Sequence, residues 1–307
     1  MKNSNNELNL KLDVVFKQFF SKKGNEELLE DFLSSILGKR VKCKAVIKEA
    51  RIGEKRPGEK YGSLDIRAIL DDEVEVDVEM QVADNKNTIN RAIYYMSMLT
   101  AEGLKINEGY SKMKEKIVIF LLDYELFKLN ETVVSSYICL KEDKETELTT
   151  LQKYYFIDLT KVKYIDEKNR RRLKLWLAFI NRDKEMLEMV KEDKILKKAE
   201  EEYEYLTGDE ETKRLAELRQ RAIWELNDSR EIGLAEGREE GREVGIKEGR
   251  KEGRKEGRKE GIEQGIKEGI VKIAKNMLTN EFSVSDIAKC TKLSEADIIS
   301  LKSEINI

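Results

Sequence analysis

The chain of 307 residues contains no histidine. That absence removes Ser-His-Asp and Cys-His hydrolases in their usual forms, imidazole zinc sites, and nucleases with a histidine general base. Cysteine is scarce: Cys43, Cys139 and Cys290 lie far apart, with no Cys-x-x-Cys. This argues against structural zinc and a disulfide framework, and fits a reducing cytosol. Proline occurs once, at Pro57. No apolar run is long enough to span a bilayer, and the polar start from Met1 to Glu7 has no apolar stretch behind it. A soluble, cytoplasmic protein is expected.

Net charge is −3, so the molecule is not a polycation. Charge is uneven, however. Between Lys39 and Lys60, nine lysines and arginines stand against three glutamates, a local surplus of six. Such a patch can track phosphates, or it can be ordinary solubilising surface.

Immediately after it come two alternating segments. In Val74–Val82 the residues Val74, Val76, Val78, Met80 and Val82 fall on one face and Glu75, Asp77, Glu79 and Gln81 on the other. Period-two alternation is the signature of a half-buried strand. In Ser63–Leu70 the apolar face is Leu64, Ile66, Ala68 and Leu70, and only Ile69 breaks the polar face. With Asp71-Asp72-Glu73 as the loop, an antiparallel hairpin pairs Leu70 with Val74, Ala68 with Val76, Ile66 with Val78 and Leu64 with Met80. A slip by one residue would set these side chains opposite carboxylates, so the pattern selects its own register.

The same register sets Arg67 opposite Asp77, a favourable pair, Asp65 opposite Glu79, and Ser63 opposite Gln81. Like charges directly opposite destabilise a sheet. Asp65 and Glu79 therefore call for a bound cation or for protonation of one acid. Two carboxylates ~5 Å apart suit a hard divalent ion such as Mg²⁺. A solvated charged face accounts for the pattern equally well.

Around this hairpin, Asp13–Phe20 and Glu26–Leu37 have helical apolar spacing, and Gly38 fits the C-cap of the second. Cys43–Ala50 reads as a strand, and residues 51–62 as a loop. Asn87–Lys105 reads as a helix capped by Thr88, with a stripe of Ile89, Ala92, Ile93, Met96 and Leu99 or Thr100. Lys116–Asp123 encloses a continuous apolar run, expected as a central strand buried on both faces. Val133–Leu140 and Tyr154–Leu159 read as further strands. From Asp166 to Leu226 the pattern is helical, with Trp176 and Trp224 expected in the core. The fold class is α/β: a mixed central sheet flanked by helices over residues 1–165, then a helical extension over 166–232.

Glycine then recurs at every fourth position from Gly233 to Gly269, with mostly Arg, Lys and Glu between. A period of four drifts around a helix by roughly 40° per repeat. Each glycine costs about 1 kcal/mol relative to alanine. Pairs such as Glu252–Lys255 return only ~0.2–0.5 kcal/mol, and like charges four apart, as in Lys251, Lys255 and Lys259, oppose the helix. Residues 233–270 are expected as a marginal helix supported by another chain or a ligand, with right-handed winding if helices associate, or as a charged tether. Homo-oligomerisation through the C-terminal helical region is expected. Residues 271–307 read as a small helix-turn-helix-like cap: Ser285 and Ser294 can each cap a helix, and Ile287, Ala288, Leu293 and Ile298 are spaced like its core. Glu295 and Asp297 on the second helix would face phosphate badly.

Taken in order, several segments resemble the recombination-promoting nucleases, a bacterial, transposase-like branch of the PD-(D/E)XK nuclease superfamily. They are Leu12-Asp13-Val14-Val15-Phe16-Lys17, Leu64-Asp65-Ile66, Val78-Glu79-Met80-Gln81, Arg91 to Tyr95, Gly109-Tyr110, Asp123 to Phe127, and the glycine repeat. The resemblance implies a restriction-endonuclease-like core and a Mg²⁺-dependent DNA endonuclease acting in recombination of mobile elements or in defence. It implies that Asp65 and Glu79 ligate the ion, with the Met80 carbonyl as third oxygen. Gln81 stands where the superfamily usually carries lysine; it can orient water but supplies no charge, so either Lys48, Lys60 or Lys86 supplies it or the activity is intrinsically low. Asp13 matches an N-terminal family position and either reaches the site or caps its helix. Lys48, Arg51, Lys55, Arg56, Lys60 and Arg91 are the expected DNA contacts. A non-catalytic scaffold that keeps the nuclease fold is the competing reading.

Overall fold

The computed structural model describes residues 8–47, 50–52, 62–83, 86–104, 107–128, 132–140 and 147–305. In chain order the elements are α1 (Asp13–Ser21), α2 (Glu26–Leu37), β1 (Cys43–Ile47), β2 (Arg51–Ile52), β3 (Gly62–Ser63), β4 (Ile66–Leu70), β5 (Glu75–Gln81), α3 (Thr88–Glu102), β6 (Lys116–Leu122), β7 (Val134–Leu140), β8 (Glu147–Asp158), α4 (Glu167–Asn181), α5 (Leu187–Glu192), α6 (Lys194–Gly208), α7 (Glu210–Thr279), α8 (Val284–Thr291) and α9 (Glu295–Glu304). The chain divides into two units, residues up to Trp224 and residues from Glu225.

The first unit is built on a six-stranded mixed sheet of order β1-β4-β5-β6-β8-β7. The β4–β5 hairpin has the register its alternation dictates: Ile66 pairs with Val78, Arg67 with Asp77 and Ala68 with Val76. The Leu70 N–H donates to the Val74 carbonyl at 2.8 Å, closing the three-residue loop, where Glu73 takes a left-handed φ of 63°. A left-handed third loop residue is the usual way a three-residue hairpin matches the twist of its strands. β5 then runs parallel to β6, and β6 parallel to β8. β6 is buried along its whole length, as a continuous apolar run in a central strand should be.

One face of the sheet, including Ile66, Ala68, Val76, Val78, Ile117 and Ile119, shares a core with α1, α2, α4 and α6. Phe16, Phe19, Phe20, Phe32, Trp176 and Phe179 fill its centre with mostly edge-on and tilted ring contacts. Each such side chain contributes about 1.5–3 kcal/mol on burial. α3 packs on the other face, against Val118, Phe120 and Leu122. That helix changes the reading of β5. Its acidic face is not half-solvated: Glu75, Asp77 and Glu79 are 6%, 0% and 1% exposed. Alternation assigned the two faces, and α3 then covered the polar one.

Other expectations shift locally. α3 begins after Asn87, and Thr88 Oγ1 bonds the Tyr124 hydroxyl at 2.5 Å rather than capping the helix. Ile89 and Ile93 are exposed, while Tyr95 joins Ala92, Met96 and Leu99 inside. Trp176 is fully buried, but Trp224 is 63% exposed.

In the second unit the glycine repeat is helical throughout, as part of α7. The end of α7 packs with α8 and α9 around Ala274, Leu278, Ile287 and Ile298. Ser294 caps α9 as expected, through the Asp297 N–H, but Ser283 rather than Ser285 caps α8. Among the described residues no helix is long and apolar enough to cross a membrane.

Candidate active site

The ladder between β4 and β5 stops at Ile66–Val78, and Asp65 sits in a bend at its edge. There the two acids do not simply confront each other. The Asp65 N–H donates to Glu79 Oε1 at 3.0 Å, and the Met80 N–H donates to Asp65 Oδ2 at 2.9 Å. The Asp65 carboxylate thus takes the place of the Leu64 carbonyl that a continued ladder would have offered the Met80 N–H. Hydrogen bonds to a charged acceptor are roughly twice as strong as neutral ones.

Arg91 completes the cluster from α3. Its Nη1 donates to Gln81 Oε1 at 2.7 Å, and its Nη2 to Glu79 Oε2 at 3.2 Å and to the Tyr95 hydroxyl at 3.1 Å. Gln81 Nε2 lies 3.4 Å from Glu79 Oε2. Asp65, Glu79 and Gln81 are therefore together, as the sequence suggests, and Arg91, expected only as a DNA contact, joins them. The Met80 N–H is the atom engaged by Asp65.

Asp13, at the start of α1, acts on Asp65 electrostatically. Its carboxylate accepts from Val14 N–H at 2.9 Å and from Arg219 at 2.5 and 2.7 Å, so its charge is already paired. Lys48, Lys55, Arg56 and Lys60 lie outside the described residues, as does the side chain of Arg51.

Four features escaped the sequence. Arg67 is the register partner of Asp77 but bonds elsewhere: to Glu75, and to Glu102 at 3.2 Å. Glu75 also pairs with Lys116, the residue beside it on β6. Asp77 is consequently left fully buried with neither carboxylate oxygen hydrogen-bonded. Lys17 of α1 is close enough to favour the ionised form of Asp65. The only signal in the chain for these would have been the excess of acids over cations on one strand face.

Electrostatically the site is short of positive charge. Burial, partly offset by the Met80 hydrogen bond, pushes Asp65 up to about 6, with the Asp13 charge adding to it. Burial, then the charges of Asp65 and Asp77, hold Glu79 well above the ordinary carboxyl range. Burial and Asp65 do the same to Asp77. Removing charged groups from water raises carboxyl pKa, and neighbouring anions raise it further.

Two carboxylates with no nitrogen or sulfur ligand are a hard oxygen donor set, and uncompensated negative charge is what a divalent cation would offset. The residues present fit such an ion. Among the described residues no group of three or more Asp, Glu or Cys could enclose one, so water, backbone oxygen and substrate would supply the remaining ligands.

The mixed six-stranded sheet and its flanking helices are consistent with a PD-(D/E)XK α/β core. Residues 10–231 match the family described as PD-(D/E)XK nuclease family transposase, and the chain belongs to that family. Membership supports a nuclease-like or transposase-like role. The match ends before the glycine repeat and the terminal helices. No curated protein and no solved structure matches the chain.

Proposed function

We propose that the protein is a Mg²⁺-dependent DNA endonuclease that hydrolyses phosphodiester bonds in recombination of mobile elements or in defence. The observation that carries this reading is the Asp65–Glu79 pair, held together by two hydrogen bonds to backbone amides although burial and neighbouring acids oppose the ionisation of both.

Asp65 and Glu79 would hold the ion, with the Met80 carbonyl as a third oxygen. When bound, the ion supplies Lewis-acid stabilisation of phosphate charge and lowers the pKa of water. The chain's own residues do the rest. Gln81 orients the attacking water through its amide. Arg91 grips the Gln81 oxygen at 2.7 Å and so holds that amide in one orientation. Arg91 also brings the positive charge that Gln81 lacks, in place of Lys48, Lys60 or Lys86. Its fork of donors suits a phosphate oxygen once DNA enters. The cations Lys48, Arg51, Lys55, Arg56 and Lys60 would track the flanking backbone, so affinity should fall steeply with salt.

Plasmid nicking tests this reading. Cleavage is expected with Mg²⁺, and none with EDTA, nor in Asp65→Ala or Glu79→Ala. Equal cleavage by the mutants would assign the activity elsewhere, and no cleavage of any DNA form would leave a scaffold that keeps the fold.

A further inference from the structure

Every residue from Gly233 to Gly269 is exposed. A methyl group added at any of the ten glycines would meet nothing within 4 Å. This stretch of α7 is an unpartnered helix surface, and the charges on it are ordered. Gly237, Gly241, Gly249, Gly253 and Gly257 are each preceded by glutamate and followed by arginine. Gly245, at the middle, has Val244 before it and Ile246 after it, 55% and 46% exposed. Of the ten flanking charges, only Arg242 has an ion pair among the described residues, with Glu239.

On a helix, the residues before and after a given position stand about 100° to either side of it. A helix laid along the glycines therefore meets glutamates along one flank and arginines along the other. For two identical chains, the direction of the partner decides which flanks meet. If they run parallel, the two-fold axis lies along the helices and each glutamate flank faces the partner's arginine flank. If they run antiparallel, the axis lies across the pair, arginine faces arginine and glutamate faces glutamate. Charge complementarity selects the parallel arrangement. In that arrangement Val244 also meets the partner's Ile246, an apolar rung inside a charged ladder. Lys247, Lys251 and Lys255, two residues after their glycines, lie on the far side and do not clash.

We infer that a second copy of this chain docks on this face, parallel and in register, over Gly237–Gly257. The drift of a four-residue period on a 3.6-residue helix is then absorbed by right-handed winding of the two helices. Close approach of small residues gives that hand of crossing, ~40°, where helices pair in membranes; here the flanks are charged and the pair sits in water. The inference is independent of the nuclease reading, since it uses neither Asp65 nor Glu79.

Light scattering on the full chain at low salt should give twice the monomer mass, falling as salt screens the flanks. The triple variant Gly241→Ala, Gly249→Ala, Gly257→Ala should gain helicity by circular dichroism yet dissociate at least tenfold more readily. Direction is read from Gly241→Cys and Gly257→Cys, oxidised separately and as a mixture, with linked peptides identified by mass spectrometry. Each should link to its own copy. No link between 241 and 257 should form, because sixteen residues span ~24 Å along a helix, against a Cα separation of at most about 7 Å in a disulfide. A monomeric mass at low salt, a dimer indifferent to the alanines, or a dimer in which neither cysteine links to its own copy would overturn the proposal. A 241–257 link in place of the self-links would do so as well.

Discussion

Asp65 and Glu79 hold each other through the backbone: the amide of Asp65 binds the Glu79 carboxylate, and the amide following Glu79 binds the Asp65 carboxylate. Two side chains that repel in charge are thus pinned at one rung before any ligand arrives. Asparagine and glutamine keep the acceptor oxygens these bonds need. Asp65→Asn and Glu79→Gln should therefore fold normally, while divalent-ion binding by calorimetry and cleavage both fall by on the order of 100-fold or more. Loss of fold with loss of activity would mean the charges, not the hydrogen bonds, hold the hairpin edge.

The pH dependence has a definite sign. Burial raises Asp65 from 3.8 to about 6 in the folded chain. Between those values the folded state keeps a proton that the unfolded state has lost. This group's contribution is therefore most favourable below the lower value and declines as pH rises through the upper one. Glu79 and Asp77 act in the same direction. Ion binding runs oppositely, weakening as pH falls through about 6. Urea midpoints of wild type and Asp65→Asn should separate on going from about pH 5 to about pH 7.5, and Mg²⁺ should close the gap for wild type.

Asp77 is the residue the fold tolerates at a cost. With both oxygens buried and unbonded, Asp77→Asn should stabilise the metal-free protein at neutral pH by on the order of 1–2 kcal/mol. Thermal melting without added metal reads this directly. A lower melting temperature would show that the charge is needed to hold Arg67 or Arg91 in place.

Arg91 serves both structure and chemistry. Arg91→Met leaves Glu79 buried without its cation and Gln81 without its holder. The loss should be on the order of 1–3 kcal/mol in stability, because the arginine is itself partly in water. We expect kcat to fall far more than KM rises, and Arg91→Lys, which restores charge without the fork, to recover only part of the rate. Full recovery by lysine would reduce Arg91 to a point charge.

The two tryptophans should separate cleanly. Trp176 packs against Phe20, Phe32 and Phe179 and donates to Asp31 at 2.6 Å. Trp176→Ala should cost about 3–5 kcal/mol by urea unfolding. Trp224→Ala, at an exposed position, should stay within about 0.5 kcal/mol of wild type.

The hairpin register, the central strand and most helix spans were legible because each depends on local periodicity. The acids were legible too, since pairing residues on a known register fixes who stands opposite whom. Their environment was not. A period-two pattern says that Glu75, Asp77 and Glu79 share a side, but not that α3 will close over that side. The Arg67–Asp77 pair illustrates the limit: register made them neighbours, and Glu75 and Glu102 then took the guanidinium. Trp224 failed for the same reason, because a helical stripe names a face and not what covers it.

By itself the sequence determined the α/β class, the meeting of Asp65 with Glu79, and the charge order around the glycines of α7, since all three follow from spacing along a short stretch of chain. Only the tertiary structure decided that the acidic face is buried, that Arg91 is the cation over Gln81, and that Arg219 occupies Asp13 across 206 residues of sequence. Burial and ion pairing are set by which distant segments pack together, and no local period carries that information.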